Sequence, residues 1–325
     1  MSLPIAPILG ILSDNLRKRG SVLPLSKRTA TGWARGLGLP RGGETILYTG
    51  QMYQMIPALE VMSAQMAALE NSFMTRFFGI GRVFNKFVNL SFFMSLSASS
   101  EKKRHSNQVL RDIAGLLREA GVEFGYLYEE ELYAGALVHD EGMDEVFANH
   151  ARRVAERLKK QGVRRLITVD PHTTNILRQV YPRYVKDFDI QVQSYLEVLA
   201  EAHPEATEPV NGEVVVHDSC VYARYEKMFD QPRELLRAAG LAVRDPELSG
   251  KSSHCCGGPL ESLFPAEAHR ISGARVDQLE AKGKNVVTMC PICKVNLSKA
   301  AGNRLIIHDI ATTLAACRRQ AAPNG

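Results

Sequence analysis

The chain has 325 residues, 45% hydrophobic and 23% charged, with six cysteines and a formal net charge of +5. That length supports two domains with real cores, in a composition ordinary for a soluble globular protein. No run of about 18 uninterrupted apolar residues suggests a spanning helix, and the N-terminus carries neither a leading basic residue nor a small-residue cleavage site, so no signal peptide is expected.

Residues 1–43 read as an irregular N-terminal arm, rich in Pro, Gly, Arg and Lys, lying either on another subunit or on its own protein. A strand is expected at Thr45–Tyr48, a turn at Thr49–Gln51 and a helix from about Tyr53 to Asn71. Residues 74–104 stand apart. They mix six phenylalanines with Arg76, Arg82, Lys86, Lys102, Lys103 and Arg104, against one acid, Glu101. The resulting excess of five positive charges equals that of the whole chain, so the rest is balanced and general nucleic-acid binding has no support. The segment reads as an aromatic and basic insertion that either meets a membrane surface or membrane subunit, or covers its own core.

Helix and strand then alternate. A helix is expected at Val109–Ala120, a strand-like stretch at Val122–Tyr128, a helix at Met143–Lys160, a buried strand at Leu166–Val169 and a helix at Val192–Ala202. His203–Gly212 reads as a linker. Beyond it come strands at Val214–Val216, Val286–Met289 and Leu305–Ile307. Helices are expected near Pro232–Ala239, Ala266–Lys282, Asn296–Ala301 and Ile310–Ala316. This alternation predicts an α/β chain of two lobes, each a small, mostly parallel sheet covered by helices.

Five of the six cysteines fall between Val214 and Asn296: Cys220 in HDSC, Cys255 and Cys256 in HCCGG, Cys290 and Cys293 in CPIC. An adjacent pair closes poorly on itself as a disulfide, and a CxxC presents two thiols to one side. Three turns bearing five soft ligands are a metal-site pattern, and all-thiolate sites are most often iron–sulfur clusters in a reducing, cytoplasmic setting. Zinc on four of the five is the alternative. Cys317 reads as a plain buried thiol. His254 and His217, beside the cysteines, are the candidate catalytic residues, each either a structural partner or a proton donor. His172 has no thiols beside it in sequence and reads as structural.

The two halves also repeat each other. ETILYTGQMY matches EVVVHDSCVY, setting Gln51 against Cys220 and Tyr53 against Tyr222. The LYAG of Leu132–Gly135 falls against CCGG. KKQGVRRLITVDPHT matches EAKGKNVVTMCPIC, setting Asp170 against Cys290 and Thr173 against Cys293; VQSYLEVLAEA matches IHDIATTLAAC. The first copy therefore keeps the scaffold without the thiols. The expected organisation is an arm (1–43), a degenerate lobe (44–205) with the 74–104 insertion, a cluster lobe (206–318) and a tail (319–325).

The order Cys, Cys-Cys-Gly, Cys-Pro-x-Cys, with HDSC followed by Arg224 and with QPRELLRAAG, resembles the cysteine-rich CCG domain of the heterodisulfide reductase B-like family of iron–sulfur proteins. The resemblance covers about residues 45–318, and Ser219 stands where that family commonly has Pro. It implies a 4Fe-4S cluster, in the best-studied relatives a noncubane one with five cysteine ligands. Here those ligands would be Cys220, Cys255, Cys256, Cys290 and Cys293. Gly257 and Gly258 would let the backbone approach the cluster. The implied function is an electron-transfer subunit of an oxidoreductase acting on a thiol or disulfide, a sulfur compound or a quinone-linked partner. The chain has neither a C-x2-C-x2-C run nor a GxGxxG fingerprint, so a ferredoxin-like iron–sulfur subunit and a flavoprotein are the expected partners. Its expected place is the cytoplasm, peripheral at the inner face of the membrane if residues 74–104 dock there. The alternative is a non-catalytic interaction or assembly subunit with a structural metal.

Overall fold

The computed structural model describes residues 5–69, 85, 98–202, 212–261 and 263–321. The chain is mixed α/β with two parallel sheets. In the first, β1 (Thr45–Tyr48), β2 (Arg165–Thr168) and β3 (Gln191–Ser194) lie side by side in the order β1-β2-β3. The second holds β4 (Glu213–His217), β5 (Ala242–Arg244), β6 (Asn285–Thr288) and β7 (Ile306–Asp309), ordered β5-β4-β6-β7. The inner strands of the second sheet, β4 and β6, are short apolar runs such as Val214–Val216, buried as parallel strands covered by helices require.

The two lobes share a core. Leu47, Ile167, Leu196, Val216, Val287 and Ile310 belong to one continuous buried cluster. Helix Ser100–Glu119 packs on helix Ile310–Ala321, and helix Met52–Leu69 packs on helix Pro291–Ala301. Two buried tyrosines cross between the lobes in opposite directions. Tyr53 donates to Asp309 Oδ2 at the end of β7 (2.7 Å), and the Tyr222 hydroxyl meets Ser194 Oγ at the end of β3 (2.8 Å). These are the positions that the internal repeat aligns.

Several expected elements differ. Within residues 1–43, helix Ile5–Arg19 forms because Ile8, Leu12 and Leu16 recur every fourth residue and bury one face; Val22, Leu23 and Trp33 follow them into the chain's own core. The Val122–Tyr128 stretch makes only two isolated bridges, Ile46 with Gly125 and Arg41 with Tyr126, rather than a strand. The expected helix at Val192–Ala202 is strand β3 followed by helix Tyr195–Glu201, whose start Ser194 and Glu197 fix with a capping box. Strand β5 was not expected; it is three residues long and only partly buried. Apart from Asn85 and residues 98–104, the 74–104 insertion lies outside the described residues, as does the linker at 203–211. No helix among the described residues is long and apolar enough to cross a membrane.

Candidate metal centre

The connection from β4 leads to β5 on one side of the second sheet, while β6 lies on its other side. The switch point between β4 and β6 is where an open parallel sheet leaves a crevice at its carboxyl ends. Cys220 lies three residues beyond β4, and Cys290 two residues beyond β6. Cys290 is the N-cap of helix Pro291–Ala301 and Cys293 lies in its first turn, so these two thiols share a face because of the helical repeat rather than a free turn. Cys255 and Cys256 come from the loop between β5 and helix Pro265–Glu280.

That loop is held by charge. Arg233 clamps Asp218 with Nη1 and Nη2 at 2.7 and 2.9 Å and reaches Asp245 at 2.6 Å. Asp218 also accepts from Gly250 N (2.7 Å), and its carbonyl accepts from Ser253 Oγ (2.9 Å). Arg224 donates to the Ser253 carbonyl. The segment before the cysteine pair is thereby tied to the segment before Cys220. At Gly257 φ is +79°, and a Cβ there would collide with the Ala268 carbonyl oxygen, so only glycine fits. A Cβ on Gly258 would lie 3.4 Å from Cys256 Sγ, which makes this turn a close backbone approach to the thiols.

All five thiols converge, and all are free. The thiols act on one another pairwise, Cys220 with Cys255, Cys255 with Cys256, Cys256 with Cys293 and Cys293 with Cys290, an unbroken series in which each shifts the ionisation of the next. Cys256, Cys290 and Cys293 are buried; Cys220 and Cys255 are partly exposed. Hydrogen bonds from Cys220 and Cys256, helped by Gly257 N at 3.3 Å, hold the Cys255 thiol far below its usual range. Burial pushes the Cys290 thiol up, but hydrogen bonds from Cys293 and His172 outweigh it and bring it well below normal. Two members of the series thus favour the thiolate that a soft metal binds.

His217 sits at the same place. Its ring and the Cys256 and Cys293 sulfurs offer ligand atoms within 4.8 Å of one another. Arg275 Nε donates to His217 Nδ1 at 3.0 Å, which places the ring proton on Nε2. Burial and the Arg275 charge lower the His217 pKa to about 3, so the ring is a neutral N–H donor. That buried Nε2, with Ser219 Oγ and Thr288 Oγ1, has no hydrogen-bond partner among the described residues. Five thiols, two of them favouring the thiolate, a glycine-built close approach and an orphaned N–H donor fit an all-thiolate iron–sulfur cluster. His254 lies beside the pair, with its Nδ1 meeting the Cys255 carbonyl at 3.0 Å. Cys317 is buried in the shared core, clear of the other five.

His172 lies nearer the thiols than its sequence neighbours suggest. Its turn carries no thiols in sequence, yet the structure sets the ring against Cys290, with Asp140 Oδ2 3.5 Å from Nδ1 on the other side. Burial opposes charging, but the hydrogen bonds to Asp140 and Cys290 prevail and raise its pKa well above normal. The internal repeat held the signal, because the turn at Asp170 matches the turn at Cys290 and the two face each other. Arg275 had no such signal.

In the first lobe the corresponding crevice is filled by protein. Glu131 accepts from Thr49 N (2.9 Å) and from the Thr49 hydroxyl, and Gln51 Nε2 donates to the Glu131 carbonyl (2.9 Å). Asp170 caps the next helix through Thr173 N (3.0 Å), and burial raises its pKa to about 6. No cysteine lies in this lobe.

Residues 214–298 match the family model described as a cysteine-rich domain, CCG. The chain is 30% identical over 223 residues to a probable iron-sulfur-binding oxidoreductase, FadF, of Bacillus subtilis, covering 65% of this chain and 31% of that one. It is 31% identical over 192 residues to the EtfAB:quinone oxidoreductase of Syntrophomonas wolfei, covering 55% and 27%. To the D component of the dihydromethanophenazine:CoB–CoM heterodisulfide reductase of Methanosarcina barkeri it is 28% identical over 210 residues, covering 60% and 51%. The chain therefore spans between about a quarter and a half of the length of these relatives. Residues 214–298 are a CCG-type cysteine-rich domain, in a chain related to iron–sulfur oxidoreductases and their subunits.

Proposed function

We propose that this chain is the cluster-bearing part of a multi-subunit oxidoreductase. Cys220, Cys255, Cys256, Cys290 and Cys293 hold one four-iron cluster, and electrons pass to or from a thiol or disulfide, another sulfur compound or a quinone-linked partner. The unbroken series of five free thiols at the sheet's switch point carries this reading. A cubane takes four thiolates, so a fifth in the same series supports the noncubane form. The relatives named for quinone and for heterodisulfide chemistry support the two acceptor classes.

When bound, the cluster supplies storage and transfer of electrons. The chain supplies its setting. The Gly257 N–H donates to Cys255 Sγ, and the His217 Nε2–H, fixed by Arg275 and without a partner among the described residues, is left to meet a cluster sulfur; such donors raise a cluster's potential. His172, backed by Asp140, is a third donor, contributed by the lobe without cysteines. Burial of Cys256, Cys290 and Cys293 excludes water from one side of the site, while the half-exposed Cys220 and Cys255 mark the side that substrate or a partner reaches. A ferredoxin-like subunit and a flavoprotein complete the electron path in this reading, and residues 74–104 dock on a membrane subunit or membrane surface.

The test is anaerobic reconstitution with iron and sulfide, metal analysis, and EPR of the oxidised protein with and without thiols, disulfides or quinones. About four irons per chain are expected, with loading lost in serine variants of the five cysteines and kept in Cys317→Ser. Zinc without iron would overturn the proposal.

A further inference from the structure

A cavity of about 240 Å³ lies between the lobes, beside the thiols. Helix Met52–Leu69, the segment around Leu137 and Asp140, and the Gly258–Phe264 loop that follows the paired cysteines form its walls. Met55, Ile56, Leu59, Leu137, Leu260 and Ile292 make those walls apolar. Two lining residues touch the thiol series directly: Gly258, whose added Cβ would sit 3.4 Å from Cys256 Sγ, and His172, whose ring meets Cys290. Phe264 adds an aromatic ring that is 48% exposed.

Charge decides what fits. Glu60, Asp140, Glu141 and Glu261 line the cavity, and no lysine or arginine does so among the described residues. Lys102 and Lys299 reach Glu60 and Glu261 from outside the lining, at 3.1 and 2.8 Å. An anionic head, whether sulfonate, phosphate or carboxylate, would give up its water to face four carboxylates, and the one basic side chain lining the cavity among the described residues, His172, is already held by Asp140 at 3.5 Å. The volume falls below the roughly 300–1,000 Å³ of drug-sized pockets, which suits one ring and a short length of chain but no nucleotide. Histidine, asparagine and serine (His172, Asn296 and Ser63) supply polar groups for a neutral carbonyl. We propose that this cavity binds the ring of a neutral, apolar quinone against the cysteine site. The inference rests on the redox reading above and narrows its acceptor to the quinone class.

The test titrates the anaerobic, cluster-loaded protein with menadione, with the neutral diphenyl disulfide and with the anionic disulfide of 2-mercaptoethanesulfonate, measuring bound ligand by equilibrium dialysis. Saturable binding of one menadione per chain is expected, weakened at least tenfold by Leu59→Trp, which fills the cavity, and by Leu137→Glu, which adds a charge. Both sites are partly exposed, and circular dichroism confirms that the variants fold. Preference for either disulfide, binding of none of the three, or menadione binding that ignores both folded variants would overturn the proposal. The same titration of metal-free protein with the five clustered cysteines changed to serine, so that no thiol there reacts with the quinone or the disulfides, separates the two readings. Variant-sensitive menadione binding there, when the parent chain takes up no iron, keeps the pocket and removes the redox reading; a loaded cluster without menadione binding does the reverse.

Discussion

Glu131 allows a sharp test of why the first lobe has no cluster. Its carboxyl is buried where the second lobe gathers thiols, and burial, opposed only in part by the Thr49 hydrogen bonds, raises its pKa from 4.5 to about 8. In the unfolded chain the group ionises near 4.5, whereas in the folded chain it keeps its proton to about 8. Its folded pKa is the higher one. Stability from this group is therefore complete below pH 4.5 and is lost as pH rises through 8, at about 1.4 kcal/mol per pH unit in between. The full window corresponds to at most about 5 kcal/mol, and the span from pH 5.5 to 7.5 to about 3 kcal/mol. Glu131→Gln mimics the protonated carboxyl and removes the titration. Urea unfolding of both proteins at several pH values between 5 and 9, run anaerobically, cancels every other ionising group in the difference. The variant should gain on the parent by about 3 kcal/mol between pH 5.5 and 7.5. Parallel profiles would mean that Glu131 is ionised in the fold, and the account of a self-satisfied, protonated plug in place of ligands would be wrong.

Three further outcomes follow from the same geometry. Arg233→Met strips the buried Asp218 carboxylate of its cation and should cost about 3–5 kcal/mol in urea unfolding; a loss under about 1 kcal/mol, the scale of an exposed pair, would show that the clamp does not hold the cysteine loop. Gly257→Ala forces a Cβ into the Ala268 carbonyl at a φ of +79°. Beyond the roughly 1–3 kcal/mol of backbone strain, it should lower iron uptake per chain, and full uptake would argue against the tight turn. Tyr222→Phe removes the hydroxyl shared by Ser194 and Thr174 and should destabilise the fold by about 1–2 kcal/mol, with Tyr53→Phe costing as much at Asp309. Unequal losses would break the correspondence between the two crossings.

The sequence carried the chemistry of this site further than its shape. Cysteine spacing and glycine placement are local, so HDSC, CCGG and CPIC named the five converging thiols without any knowledge of the sheet. The register of the internal repeat was also readable, and it held more than its elements suggested. Had Val192–Ser194 been taken from its match to Ile307–Asp309, strand β3 would have replaced the first turn of a helix. What escaped depends on contacts between distant segments. His172 gains its meaning only when the turn after β2 meets the turn after β6. Arg275, a residue of helix Pro265–Glu280, is recognisable as the partner of His217 only once both are buried together. The cavity draws its walls from six places in the chain between Val22 and Asn296, and no local pattern announces it.

A lobe without thiols could be a mere spacer, yet the contacts here tie it to the thiol-bearing lobe. Tyr53 satisfies Asp309, whose pKa burial lifts to about 6, and Tyr222 is satisfied by Ser194 and Thr174 in return. Separating the lobes would break both tyrosine hydrogen bonds, each a net contribution of roughly 0.5–1.5 kcal/mol. The core is also common to both, so separation would expose apolar surface on each side. The first lobe further contributes His172 to Cys290 and most of the apolar wall beside the thiols. The duplication has thus become a division of labour. One copy gathers the thiols, and the other, which has none, lines the cavity beside them.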